Sequence, residues 1–389
     1  MREPAGSGTL SQQQGEAWMR LLVVGVQVAA VLFFSAPAVA AKKTPLSWQA
    51  SGNRMALPTA HLSLSKTAGP AVMTETHEFS HKGEGLDNVA QFETADRKIF
   101  GTVYVYLPAY PDAALTAYQT DRSIRDRFGA ITFTDQSVVA LDGRPGTVIR
   151  LVYSDGRAEK VNGGEPVATA AAFLRVSGWI VKLRASGPAE RRSEVIAVLD
   201  GLIAGLRIDK GAYVHRVSLF QLAAPCPAAD RPAAVSPKTE KTSARVLGAA
   251  MNSAVITIDP KGKKDDLPRP FPNNGLQPAC VRGTVKYGDS SIDLLQPVGS
   301  ADPDTIVGVI NDAGSMLVIE KALIPPGYDF KMTQIGVANV YGSYDAIPSV
   351  TQINALFSGT TTEGTARQAS VKFLATGDTR MDIVMDGAK

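Results

Sequence analysis

His77-Glu78-Phe79-Ser80-His81 is the stretch of this sequence whose residue types and spacing spell out a reaction. It matches H-E-x-x-H. On a helix, residues i and i+4 share a face, so His77 and His81 could hold one zinc ion while Glu78 activates its bound water as general base. The activity implied is that of a zinc-dependent peptidase. Three features oppose it. Glu75, Lys82 and Gly83 stand where such a helix carries residues that pack it into a core. Glu84 occupies the glycine position of the extended motif, and no third histidine follows. The downstream carboxylates, Glu93 and Asp96, lie beside a strand, which leaves the third ligand missing.

Other chemistry is thinner. The sequence has no G-x-S-x-G, phosphate-binding loop or G-x-G-x-x-G, and His61 and His215 have no metal-ligand pattern around them. Arg122, Arg125 and Arg127 form a basic helix face that reads as solvated. Cys226 and Cys280 are the two cysteines, neither with a CxxC partner or a nearby histidine to lower its pKa. They are expected to form a structural disulfide. No cofactor is implied.

The elements that must position these residues begin with an address. Met19-Arg20, the 14-residue, mostly apolar run Leu21 to Phe34 and the small-residue site Ala38-Val39-Ala40 read as a signal peptide over 1–40. Translation is expected to start at Met19 and cleavage to fall before Ala41, placing the protein in the periplasm or outside the cell, where disulfides persist. Removing 40 of 389 residues leaves enough chain for two domains, without a second long apolar run to span a membrane. A formal charge of +3 with both signs interspersed gives nucleic acid no support as a partner.

Residues 41–56 read as a loose mature N-terminus. From there to 208, Ile99 to Leu107 is a β-branched and aromatic strand, and Pro111-Asp112 opens a helix that Gly129 stops. Hairpins are expected around Asp142-Gly143 and Ser177-Gly178. Ala189 to Leu206 is the strongest helix, with Val195, Leu199, Leu202 and Leu206 on one face. A Pro/Ala-rich linker follows over 209–245. Residues 246–389 read as a smaller β-rich domain, with hairpins around Asn311 to Gly314 and Gly377-Asp378 and a short helix after Pro348.

Thr102-Val-Tyr-Val-Tyr-Leu-Pro108, and Gly178-Trp-Ile-Val-Lys-Leu-Arg184 with the helix after it, resemble the PsbP-like α+β sandwich of uncharacterised exported bacterial proteins. The resemblance covers 57–208 and carries no site residues. It implies that Thr74 to Ser80 is a strand, which would set His77 and His81 about 13 Å apart. The fold class expected is therefore α+β, an antiparallel sheet with packed helices. The function expected is a non-catalytic envelope protein that binds a partner protein or a small ligand, with the zinc peptidase as alternative.

Overall fold

The computed structural model describes residues 45–129, 131–157, 164–222, 226, 247–250, 277–288, 290–298, 305–311, 314–322, 327–358 and 367–383. The expected signal peptide over 1–40, residues 41–44 and most of the expected linker lie outside the described residues.

Three sheets carry the chain. A small one pairs β1 (Gln49–Ser51), β2 (Arg54–Leu57), β3 (Leu62–Ser65) and the later β12 (Leu206–Ile208). The first large sheet uses β4 (Thr67–Ala68), β5 (Ala71–Glu78), β6 (Asp87–Thr94), β7 (Phe100–Tyr106), β8 (Thr132–Leu141), β9 (Arg144–Gly156), β10 (Val167–Val176) and β11 (Trp179–Pro188). Its order is β4-β5-β6-β7-β11-β10-β9-β8, antiparallel throughout, with β8 at an edge.

Alternation along these strands feeds two cores. In β11, Val181, Leu183 and Ala185 turn to one face and are fully buried, while Ile180 turns to the other. Two helices cover the two faces. Helix α1 (Ala113–Phe128) starts where the Asp112 side chain accepts from the backbone N–H of Ala114 and Leu115, and stops at Gly129. Its Ala113, Ala117, Ile124 and Phe128 meet Ile149, Leu151 and Phe173. Helix α2 (Arg192–Gly205) buries Val195, Leu199 and Leu202 against the opposite face. Each such side chain contributes about 1.5–3 kcal/mol by leaving water. The expected helix is thus found, although Leu206 buries itself from β12 rather than from the helix. Gly201 lets α2 come down on the β4–β5 turn: a Cβ there would stand 2.3 Å from the Gly69 nitrogen.

The second large sheet is a meander. It runs β14 (Gln277–Tyr287), β15 (Ser290–Pro297), β16 (Ile306–Val309), β17 (Met316–Lys321), β18 (Tyr328–Gln334), β19 (Val337–Tyr344), β20 (Ala369–Phe373) and β21 (Thr379–Ile383), each beside its chain neighbours. β13 (Phe220–Leu222) lies parallel to β14. Leu294, Ile306, Leu317 and Ile319 pack with Ile353 of α3 (Val350–Ser358). On the other face, Leu295, Val307 and Val318 meet Tyr110 and Leu115 from the first region. Ala338, Val340, Val371 and Phe373 join the same core cluster as Leu183 and Leu199. The two large sheets therefore share apolar contacts, with α1 touching both.

The expected α+β class is corrected here. Strands take 53% of the described residues and helices 20%, so the protein is mostly β rather than a sheet clad in packed helices. The physical reason is visible in β5 and β8, whose side chains are largely exposed on both faces. Such strands lack the alternating apolar pattern that marks a half-buried strand, whereas α1 and α2 advertise themselves through capping and periodicity.

Candidate functional site

The first two residues of the H-E-x-x-H motif, His77 and Glu78, end a strand, and the motif then leaves it. His77 lies in β5 opposite Val89 of β6, and His81 opens a single 3-10 turn at His81–Gly83. The one-faced helical pairing that zinc needs is not formed. Instead, His77 Nε2 pairs with Glu75 Oε2 at 2.9 Å, both half-exposed, and its ring lies 5.5 Å from Phe79. Glu78 accepts from the Ser80 backbone N–H at 2.8 Å and from the Ser80 hydroxyl, which ties off the turn. Near it, burial and then the charge of Glu78 push the Asp87 carboxyl up. Among the described residues, no three His, Cys, Asp or Glu side chains converge as a metal site would require.

Cys226 and Cys280 are joined in a disulfide with Cα atoms 5.0 Å apart. The bond fixes the chain beyond β13 to β14, where the Cys226 N–H also donates to the Val281 carbonyl at 3.3 Å.

Arg122 of α1 is partly buried while Arg125 and Arg127 are exposed, and each has a partner. Arg122 Nη1 donates to Asp293 Oδ2 at 2.5 Å, Arg125 pairs with Asp121 four residues earlier, and Arg127 lies against the Phe128 ring. Asp293 of β15 is nearly buried and also accepts from the Tyr118 hydroxyl at 2.8 Å and from Thr284 at 2.9 Å. This carboxylate joins α1 to the second sheet.

A cleft opens between α1 and the β8–β9 hairpin. The stripe Ala114, Ala117, Tyr118, Asp121 and Arg125 forms its helical wall, an i, i+3, i+4, i+7 and i+11 spacing. Ile149 and Leu151 of β9 give an apolar floor, while Phe133 and Gln136 of β8 and Ser218 and Leu219 complete it. The two alanines create the room, since larger side chains at those positions would close the helix onto the sheet. The cleft holds about 170 Å³. Its polar wall is braced: Asp121 Oδ1 accepts from the Tyr153 hydroxyl at 2.6 Å, and both Asp121 oxygens accept from Arg125 Nε at 2.9–3.0 Å. Burial and then the hydrogen bond to Asp121 push Tyr153 well above the usual phenol range, so it stays a donor. The hydroxyl of Ser218 is buried with no hydrogen-bond partner among the described residues. On the opposite face of the hairpin, a shallower hollow contains Arg150, held by Asp135 at 2.8 Å and Asp200 at 3.0 Å.

Of the segment 209–222, which the composition marks as the start of a linker, residues 213–217 pack on the first sheet and Phe220–Leu222 form β13 of the second. Val214 bridges Val176, and His215 is buried edge-on against Tyr213, with ring centroids 4.5 Å apart. Burial drives the His215 imidazole down to about 4, partly offset by its hydrogen bond with the Ser177 backbone.

No protein-family model matches this chain, and no curated protein matches it significantly. Sequence reasoning misses the cleft because its walls come from three separated segments. The signal that the sequence does contain is the stripe of small and polar residues along α1, which as a core face is unusually short of bulk.

Proposed function

We propose that this chain is an exported envelope protein that binds a small ligand without transforming it, in the cleft between α1 and the β8–β9 hairpin. The observation that carries the reading is the bracing of that cleft. An apolar floor lies beneath polar groups already fixed by Tyr153, Asp121 and Arg125, the arrangement by which a preformed site orients a ligand. A tyrosine held protonated and a carboxylate occupied by three hydrogen bonds serve positioning better than proton transfer. Export is supported by the apolar run Leu21 to Phe34 and by the Cys226–Cys280 disulfide, which suits an oxidising compartment.

The test is a saturation-transfer NMR screen of small aromatic and aliphatic compounds on the full chain, beside a Gln136→Trp variant. Gln136 is exposed on β8, so an indole there plugs the cleft without disturbing a core. Compounds whose signal disappears in the variant support the reading; signals indifferent to it remove the cleft as a ligand site. Intact mass of the exported form checks the address, with Ala41 expected at its N-terminus.

A further inference from the structure

The lining of the cleft also bears on which class of small ligand it takes, an assignment that rests on the binding role proposed for it. Arg125 Nε is committed to Asp121, and the Cζ lies 5.6 Å from the centre of the Phe133 ring. These contacts fix the guanidinium plane while leaving Nη1 and Nη2 without a hydrogen bond among the described residues. An arginine anchored by its Nε still presents those two terminal nitrogens, with the fork geometry that matches the two oxygens of a carboxylate. The hydrogen bond that Arg125 donates to Asp121 raises the guanidinium pKa, so the charge is present at every working pH. Asp121 keeps its negative charge and offsets part of the arginine's, but its oxygens bond to Nε and to the Tyr153 hydroxyl and take neither terminal nitrogen of Arg125.

Below that fork the lining turns apolar at Ala114, Ala117, Ile149 and Leu151, and Phe133 offers a partly exposed ring face. The volume of about 170 Å³ lies below the ~300–1,000 Å³ of pockets that take drug-sized molecules. We propose that the cleft binds a small monocarboxylate with a flat or branched apolar body, its carboxylate on the terminal nitrogens of Arg125 and its body between Phe133 and the α1 alanines. The chemistry disfavours a sugar, which would need several polar partners along an apolar floor, and a phosphomonoester, whose near-dianion would need more cationic charge than one arginine already paired with Asp121 supplies.

Benzoate and its uncharged isostere benzamide are the probes, titrated into the full chain and into Arg125→Gln and Gln136→Trp. Arg125 is partly exposed at the cleft rim, and matched unfolding midpoints establish that the variants are folded. Benzoate is expected to bind at least tenfold more tightly than benzamide, with Arg125→Gln bringing the two level and Gln136→Trp abolishing both. Equal binding of the two probes, still lost in Gln136→Trp, overturns the carboxylate assignment and leaves the cleft as a ligand site. Binding that ignores Gln136→Trp overturns both, whereas no binding of either probe overturns the monocarboxylate assignment alone and leaves the cleft's binding role to the compound screen.

Discussion

The Tyr118 hydroxyl donates to Asp293 Oδ2 over 2.8 Å, joining α1 to a strand 175 residues further along the chain. Burial and then this bond push the phenol far above its usual range, so the tyrosine remains the donor and the carboxylate the acceptor. Removing the carboxylate strands a half-buried phenol, Thr284 and Arg122 at once. Asp293→Ala is expected to lower stability by about 2–3 kcal/mol, the loss of charge-assisted hydrogen bonds. Arg122→Gln should cost under about 1 kcal/mol, because that side chain is one-third exposed and its pairing is screened. Urea unfolding of the two variants checks the asymmetry; equal losses would show that the ion pair, not the phenol, holds the two sheets.

His215 makes the fold acid-sensitive in a defined window. Its pKa is about 4 when folded against about 6.5 when unfolded, so between those values the unfolded chain binds more protons. Stability should be fully present above about pH 6.5 and fall by about 3 kcal/mol as pH drops to about 4. His215→Phe, which keeps the edge-on contact with Tyr213, should flatten that part of the pH profile. An unchanged slope would mean that other groups carry it.

Asp87 works in the opposite sense. Its folded pKa is raised by burial and by Glu78, so its contribution is present at low pH and is lost as pH rises through the folded value. Asp87→Asn should therefore be more stable than the parent near neutral pH, with the gain shrinking on acidification. Denaturant midpoints at several pH values measure this, and a neutral-pH loss would contradict it.

The close crossing of α2 over the β4–β5 turn leaves no room at Gly201. Gly201→Ala should destabilise by at least the ~1–3 kcal/mol of an overpacked core, despite the better helix propensity of alanine. Leu199→Ala, which leaves a void against the same face, should cost about 2–5 kcal/mol. A Gly201→Ala protein as stable as the parent would mean that α2 can lift off the turn.

Reduction, or Cys226→Ser with Cys280→Ser, should lower stability by about 4 kcal/mol, the closure entropy of a loop spanning 54 positions. The measurement is unfolding with and without reductant. A loss well under 1 kcal/mol would show that β13 and β14 hold each other without the bond.

Several local features are legible in the amino-acid order alone. Asp112 and Gly129 mark the ends of α1, and the hairpins at Asp142-Gly143 and Ser177-Gly178 form where turn chemistry puts them, with Asp142, Gly143 and Ser177 at positive φ. Non-local relationships stay hidden. Nothing in the sequence pairs β11 with β7, brings Val371 into the same core cluster as Leu199, or sets Phe133 across from Arg125. The fold class escapes for a related reason: the mostly polar strands Ala71–Glu78 and Thr132–Leu141 are held by neighbours in the sheet rather than by a pattern of their own. The H-E-x-x-H motif shows the limit of spacing alone, since i and i+4 mean one face only after the backbone has chosen a helix.

The second large sheet is laid down in chain order from β14 to β21, so each strand finds its partner within a short stretch of its own synthesis. Such an arrangement would ordinarily fray from its outer edge one strand at a time. Here the penultimate strand places Ala369, Val371 and Phe373 in the apolar cluster shared with the first sheet, so peeling that edge also opens that cluster. The last strands of the meander thereby close an apolar cluster that both sheets share, so the outer edge of one sheet is anchored in the interior of the other.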